Sequence, residues 1–482
     1  METIKTMNSN ILSKLHLCTL LGTALLLATG CQTYTQQNAK MTGHWQRGDA
    51  LAAAAEFAAK AEKEKDSKDT IVWRLEQGAA QRAAGQFKES LIAFEAAEER
   101  INKYDEGAKV KLGSETLALM SNQAQLPYEG RAYDKIMLNI YKALNYLQLG
   151  ESDKARVEFI RAQQRQEEAV EINKSRIEKA EAQLEKAKEK EKFDPDKTKD
   201  DPKFKAQFDG AYAFLDQYKS EAIYKNPAAG YLHGLFFMTA ATGPADLELA
   251  KHSFDEVAGM VGENKFVKED RELLEQAIAG KPLPSVTYVV FETGRAPMRD
   301  QIRIDLPLFI VGARNVPYVG AAFPTLKPQD GHLSSLQVVA DEAKTSTATL
   351  ASMDAIVGRE FKDELPTIVV KTMASTLAKA AVAYAVNKEA KNQDAMAGLF
   401  SQIITGVAQA AVNIADTRTW TTLPKEFQIC RIPTPKDRKI QLESPDGLLK
   451  TELSVEEGIV NLIYVKSINA SSPLIVSQIK LK

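Results

Sequence analysis

Residues 128–162 read YEGRAYDKIMLNIYKALNYLQLGESDKARVEFIRA, and the fold follows from the second part of this stretch. Small Ala143 and aromatic Tyr146 sit on one helical segment. Gly150 marks a turn. Ala155, Phe159 and Ala162 then recur on the next segment at spacings of four and three. Small residues let two helices approach closely, and aromatic rings fill the space between them. The stretch therefore predicts a helix pair on which other helical segments stack.

This pattern resembles the tetratricopeptide (TPR) repeat, and it recurs unevenly along the first half of the chain. Gly48, Ala53 and Phe57 match a turn and second helix. Gly78, Gly85, Phe87, Ser90, Ala93, Phe94 and Ala97 follow the same register. A less regular unit spans 230–242, is interrupted at Gly243-Pro244, and continues through Ala250, Phe254 and Val257. Three or four such units suffice to bury a continuous core. The expectation is a TPR-like α-helical repeat domain over 41–280.

Between these units lies a charged excursion, 163–205. Val170, Ile177 and Leu184 repeat every seven residues, a seam suited to lying on another helix. Two readings stand open: a partner-binding arm, or a solvated helical extension. Residues 197–203 are expected to be mobile.

Near Pro282 and Pro284 the character changes. Residues 285–292 (SVTYVVFE) are rich in β-branched and aromatic side chains, as are 302–310, 333–340, 427–432, 439–443, 459–468 and 474–481. Residues 346–352 read as a further strand or as the lead-in to a helix. The expectation over 285–482 is a small antiparallel β domain. An Ala- and Gly-rich helical hairpin, 363–416, interrupts it, with Pro366 in the first turn of its first arm. Ser401, Gln402, Thr405, Gln409 and Asn413 hold that hairpin below ordinary membrane-spanning hydrophobicity, which favours core packing over membrane insertion. The fold class is thus α+β.

The beginning of the chain carries a different kind of information. Lys5 and Lys14 precede an apolar run, Leu17–Ala28, followed by Thr29-Gly30-Cys31. The run is too short to span a bilayer and has the layout of a secretory signal. A Cys directly after small residues resembles the lipobox of bacterial lipoproteins, which implies a signal peptide over 1–30 and lipidation at Cys31, with palmitate among the acyl chains. Residues 31–40 read as a polar tether. Gln32 after the Cys, where Asp would favour inner-membrane retention, points to the outer membrane and its periplasmic face. The inner membrane and the cell surface are less favoured.

Composition narrows the function classes. Of 482 residues, 26% are charged and the formal net charge is −2, with positive residues interleaved among negative ones. No basic stripe exists to release counterions from a phosphate backbone, so no nucleic-acid partner is expected. Among three cysteines, Cys18 leaves with the signal, Cys31 carries lipid and Cys430 stands alone, so no internal disulfide forms. His44, His233, His252 and His332 are scattered, and no HExxH or Cys-x-x-Cys spacing accompanies them. No metal, no cofactor and no catalytic set is expected. Phosphate loops, GxSxG elbows and kinase signatures are missing as motifs.

Two constellations remain as partner-binding candidates. Tyr128, Arg131 and Tyr133 enter the central helix pair with Tyr141 further along it, and aromatics with Arg are enriched at interfaces. Their alternative role is to staple the segment onto the repeats. The second is DTRTWTTLP, 416–424, in which Arg418 and Trp420 would share one face of an extended segment with the threonines on the other. Its alternative is an internal Asp–Arg pair beside a packed Trp.

Taken together, the lipobox at Cys31, the YEGRAYDKIMLNIYKALNYLQLG stretch with its ARVEFIRA continuation, and DTRTWTTLP resemble an uncharacterised family of bacterial envelope lipoproteins with TPR-like repeats. That resemblance implies a membrane-anchored, non-catalytic protein–protein interaction scaffold. Its partners would be other envelope proteins, met through the helical repeats, and its setting cell-envelope or cell-wall assembly. An envelope enzyme with its site in the C-terminal domain, or a membrane-inserting component using 363–416, are the alternatives. Oligomeric state stays open.

Overall fold

The computed structural model describes residues 33–110, 123–191, 195–218, 225–307, 318–388 and 414–482. Its first half is a succession of helices: α1 (Tyr34–Gln46), α2 (Ala50–Lys63), α3 (Thr70–Ala83), α4 (Phe87–Val110), α5 (Ala132–Gln148), α6 (Ser152–Glu191), α7 (Pro195–Asp200), α8 (Pro202–Tyr212), α9 (Pro227–Thr239), α10 (Pro244–Val261) and α11 (Lys265–Ile278).

The same turn joins α1 to α2, α3 to α4 and α5 to α6. Gly48, Gly85 and Gly150 sit there at φ of 78°, 75° and 75°. In each turn the residue after the glycine donates its N–H back to the helix: Asp49 to His44 O at 3.1 Å, Gln86 to Gln81 O at 2.8 Å, and Glu151 to Tyr146 O at 2.8 Å. This is a Schellman closure, which needs a left-handed residue and so favours glycine. Within the pair α3–α4, a Cβ built on Gly78 would lie 2.5 Å from the Phe94 ring, so only glycine fits. Ser90 Oγ donates to Gly78 O at 2.7 Å and ties the helices at the same level.

The second half holds eleven strands among the described residues: β1 (Val286–Thr293), β2 (Met298–Pro307), β3 (Tyr318–Lys327), β4 (Gln337–Ala340), β5 (Ala343–Ser346), β6 (Ala348–Ser352), β7 (Glu426–Pro433), β8 (Lys439–Glu443), β9 (Lys450–Ser454), β10 (Val460–Ser467) and β11 (Ile475–Lys480). Helix α12 (Met353–Lys388) lies between β6 and β7. The main sheet has the order β11-β10-β1-β7-β6, beside a pair β2-β3 and a sheet β5-β4-β8-β9. The fold is α+β, and most strand pairs are antiparallel. The central pair β1–β10 is not: it runs parallel, with Val286 opposite Val460 and Thr293 opposite Ser467. Both strands are buried along their whole length, which suits their near-continuous apolar sequences.

Helices and sheets share one hydrophobic core. In α5 every residue from Tyr133 to Leu147 is buried, and in α9 every residue from Ala228 to Thr239. A helix buried all round is covered on two sides. The following helix covers one side. The chain's own C-terminal half covers the other: Tyr141 of α5 donates to Glu292 of β1 at 2.8 Å, and Tyr288 of β1 shares Asp270 with Tyr231 of α9.

Several expected boundaries move. The tether over 31–40 is helical from Tyr34. Thr33 Oγ1 accepts from Gln36 N at 3.2 Å, Gln36 Oε1 accepts from Thr33 N at 3.0 Å, and Tyr34 and Asn38 are buried. This capping box outweighs the polar composition. The charged excursion 163–205 begins as an uninterrupted continuation of α6. Residues 197–203, expected to be mobile, are helical in large part. Thr198 is buried with its hydroxyl on Pro307 O at 3.2 Å, and Lys203 pairs with Asp305 at 2.9 Å. The first arm of the hairpin starts at Met353 rather than 363, where Ser352 Oγ accepts from Ala355 N at 3.2 Å, so Pro366 lies inside the helix. Its expected second arm, 394–416, lies outside the described residues as far as 413, and residues 414–416 are not helical. Strand β3 lies where the sequence predicts none, and it carries both Gly320 and Pro324. Pro324 is tolerated in a two-stranded pair, which consists only of edges. Among the described residues no helix is long and apolar enough to cross a membrane.

Candidate functional site

Tyr128, Arg131 and Arg418, far apart in sequence, line one cleft of about 230 Å³ with Arg299, Glu364 and Asp416. Four segments build it: the approach to α5, the start of β2 with Arg299, the first half of α12, and the DTRTWTTLP loop. Arg131 is the N-cap of α5. Its N–H donates to Asp134 Oδ2 at 2.9 Å, and Tyr128 O–H donates to the same oxygen. Arg131 Nη1 meets Glu364 Oε2 at 2.6 Å, and Arg299 Nη2 reaches that oxygen at 2.7 Å. Arg418 grips Asp416 with one edge of its guanidinium, Nε on Oδ1 at 2.7 Å and Nη2 on Oδ2 at 2.8 Å. It also donates to Asp69 at 3.0 Å, Leu126 O at 2.7 Å and Gln123 O at 3.0 Å. Both guanidinium groups lie over the Tyr128 ring, Arg418 at 5.4 Å and Arg131 at 5.9 Å from its centroid.

The other candidates from the sequence lie deeper. Tyr133 is buried behind the cleft, and its hydroxyl has no hydrogen-bond partner. Tyr141 and Trp420 form a ring cluster with Phe94, with centroids 5.7 to 6.1 Å apart. All six candidates are buried. Their expected role as exposed partner contacts is therefore corrected: Arg131, Tyr141 and Arg418 bond between the helical half and the C-terminal half. In DTRTWTTLP the expected alternation holds only in part. Asp416 and Arg418 pair, but the threonines are buried as well, and Thr421 gives its N–H and its hydroxyl to Glu76, each at 2.6 Å. Cys31 lies outside the described residues.

Sequence reasoning missed Glu76, Glu292, Arg299 and Glu364. Glu76 is fully buried and accepts from Tyr34 O–H at 2.9 Å and Thr422 N at 3.1 Å besides Thr421. Burial pushes its carboxyl above the ordinary value against all of these donors. For Glu292 the available signal was a lone charge at the end of an apolar run, VVFE, whereas Arg299 and Glu364 sit among other charges and carry no such signal. Among the described residues no group of His, Cys, Asp or Glu comes together in a way that could hold a metal ion.

Asp134 gives the cleft a pH dependence. Burial pushes its carboxyl up to about 6, against the Tyr128 and Arg131 hydrogen bonds and the Arg131 and Arg299 charges. Its Oδ1 has no partner, which leaves a place for a proton. A carboxyl that titrates near 3.8 unfolded and near 6 folded binds its proton more tightly in the native state. Its stabilising contribution is therefore full below pH 4 and is lost as pH rises through 6. Asp134→Asn removes this dependence. The stability difference between variant and parent is expected to shift in the variant's favour by about 2 kcal/mol from pH 4 to pH 7. Urea denaturation at both pH values measures it, and an unchanged difference contradicts the assignment.

No family model matches the chain, and no curated relative or solved structure is similar to it.

Proposed function

We propose that this chain is a lipid-anchored envelope protein, acylated at Cys31 and held at the periplasmic face of the outer membrane. It works without catalysis as a scaffold for other envelope proteins in envelope or cell-wall assembly. Its helix pairs are of the TPR type, and the partner meets their outer faces, because the inner faces are occupied by the chain's own sheet.

One observation carries this reading. Exposed apolar residues stand on the second helix of three pairs, at the same place in two of them, seven residues past Gly85 and Gly150, and about one turn earlier in the first. Leu51 stands two residues before Ala53 on α2, Ile92 two after Ser90 on α4, and Val157 two after Ala155 on α6. At about 100° per residue each lies roughly opposite the small buried residue, hence on the outer face. Their exposures are 63%, 66% and 46%, whereas Ala53, Ser90 and Ala155 have none. The anchor adds a constraint. Thr33, which caps α1, follows Cys31 by two residues, so no more than about 7 Å of chain separates lipid from folded body. The scaffold stays against its membrane and does not reach across the periplasm.

The test places a photocrosslinking residue at 92 or 157 in intact cells. Leu448, 83% exposed in the connection between β8 and β9, serves as the control position. Discrete crosslinked species are expected at 92 and 157, not at 448, and are expected to vanish with Cys31→Ala. Equal crosslinking at 448, or none at the helical positions, refutes the outer face as the docking surface. Palmitate labelling that survives Cys31→Ala refutes the anchor.

A further inference from the structure

A second cleft, of about 260 Å³, opens where the α3–α4 turn meets the edge of the main sheet. Glu292 lies at its base. It accepts from Tyr141 O–H at 2.8 Å, from Tyr464 O–H and from Lys466 Nζ. Lys466 is its direct neighbour across the parallel β1–β10 pair, so sheet register fixes this ion pair. Beside it stands Arg82, the last basic residue of α3, only 8% exposed. Its Nη1 donates to the neutral Asn145 Oδ1 at 2.7 Å. Its guanidinium stacks over Tyr464 at 4.8 Å and Tyr141 at 5.7 Å. Among the described residues no carboxylate pairs with it. Lys466 neutralises Glu292, which leaves one buried positive charge uncompensated at the cleft. The walls above are apolar: Ala79, Ala83, Phe87, Ile475 and Val476.

We propose that this cleft binds a carboxylate that carries a compact apolar group. A buried guanidinium is costly unless an anion meets it, and its planar fork matches a carboxylate. A single uncompensated charge suits a monoanion. A phosphate dianion would bring excess negative charge beside Glu292. The apolar walls accept a short hydrocarbon, and the volume lies below that of drug-sized pockets, so the ligand is small or is the end of a chain. Two sources share this chemistry: a free branched-chain carboxylic acid, and the C-terminal residue of a peptide that ends in an apolar side chain.

Calorimetric titration of the detergent-solubilised full chain separates them with three probes: N-acetyl-alanyl-leucine as the free acid, its C-terminal amide, and 3-methylbutanoate. The free acid is expected to bind and the amide is not. Binding of 3-methylbutanoate as tight as that of the peptide acid assigns a free acid as the ligand. Binding of the peptide acid alone assigns a chain terminus. Arg82→Gln is expected to weaken binding about tenfold or more. Val476→Trp fills the cleft without touching the guanidinium, is expected to abolish binding, and decides the matter if Arg82→Gln melts early. Equal binding of acid and amide, no binding of either acid at millimolar concentration, or binding that survives Val476→Trp overturns the assignment.

Discussion

Replacing Arg418 by Ala is expected to lower the stability of the protein by about 3–5 kcal/mol, the usual effect of removing one member of a buried ion pair. The side chain is 5% exposed, and its five donors are spent on two carboxylates and two main-chain carbonyls. Without it, Asp416 loses its paired cation, Asp69 keeps only Lys68, and the Gln123 and Leu126 carbonyls lose their donor. Burial pushes the Asp416 carboxyl up, but Arg418 with Arg131 and Arg299 more than offsets this and holds it below its ordinary value. Asp416 thus stabilises the fold above the unfolded carboxylate range, and that contribution is lost as pH falls through its lowered folded value. Arg418→Lys keeps the charge but cannot span Asp416, Asp69 and two carbonyls, so it is expected to recover only part of the loss. Chemical denaturation of the three proteins at pH 7 checks this. An unchanged midpoint in Arg418→Ala shows that the loop is not held by this clamp, and it restores Arg418 as a candidate contact for a partner.

The second large effect is expected at Glu292. Glu292→Ala removes the acceptor of two tyrosine hydroxyls and leaves Lys466 buried without its anion. A loss of about 3–5 kcal/mol follows. A second substitution, Lys466→Met, is expected to restore part of it, because it removes the unpaired charge that the first one creates. The double variant should therefore unfold at higher denaturant than Glu292→Ala alone. If the two losses simply add, Lys466 and Glu292 are not coupled, and the ion pair across β1 and β10 plays no part in the stability of the sheet.

Both experiments probe the same structural fact: the joint between the helical half and the sheet half is polar, buried and fully specified. That explains what was legible in the sequence. Helix pairs write themselves locally. Small Gly78 and Ala143 on one helix, Gly85 and Gly150 in the turn, and Phe94 and Phe159 on the next repeat at fixed spacing, because each pair packs mainly with its immediate neighbour. Strands such as VTYVVFET and VNLIYVKS were legible for the same reason, since β-branched and aromatic runs report their own conformation. Even the cleft was half visible: Tyr128, Arg131 and Arg418 stood out as residue types, and they do converge.

What the sequence alone determined, then, is a set of helix pairs, a change to β structure after residue 280, and the chemical types gathered near the central pair. Only the tertiary structure decided which faces meet. The parallel pairing of β1 with β10 joins segments far apart in the chain, and no local pattern encodes such a register. The burial of α5 and α9 on both sides depends on where that sheet docks. Whether Arg131 is an interface residue or an internal one depends on Glu364, a carboxylate more than two hundred residues away. A side chain's type fixes the bonds it can make. Its partner is fixed by chain closure over long separations, which is a property of the folded molecule rather than of any stretch of it.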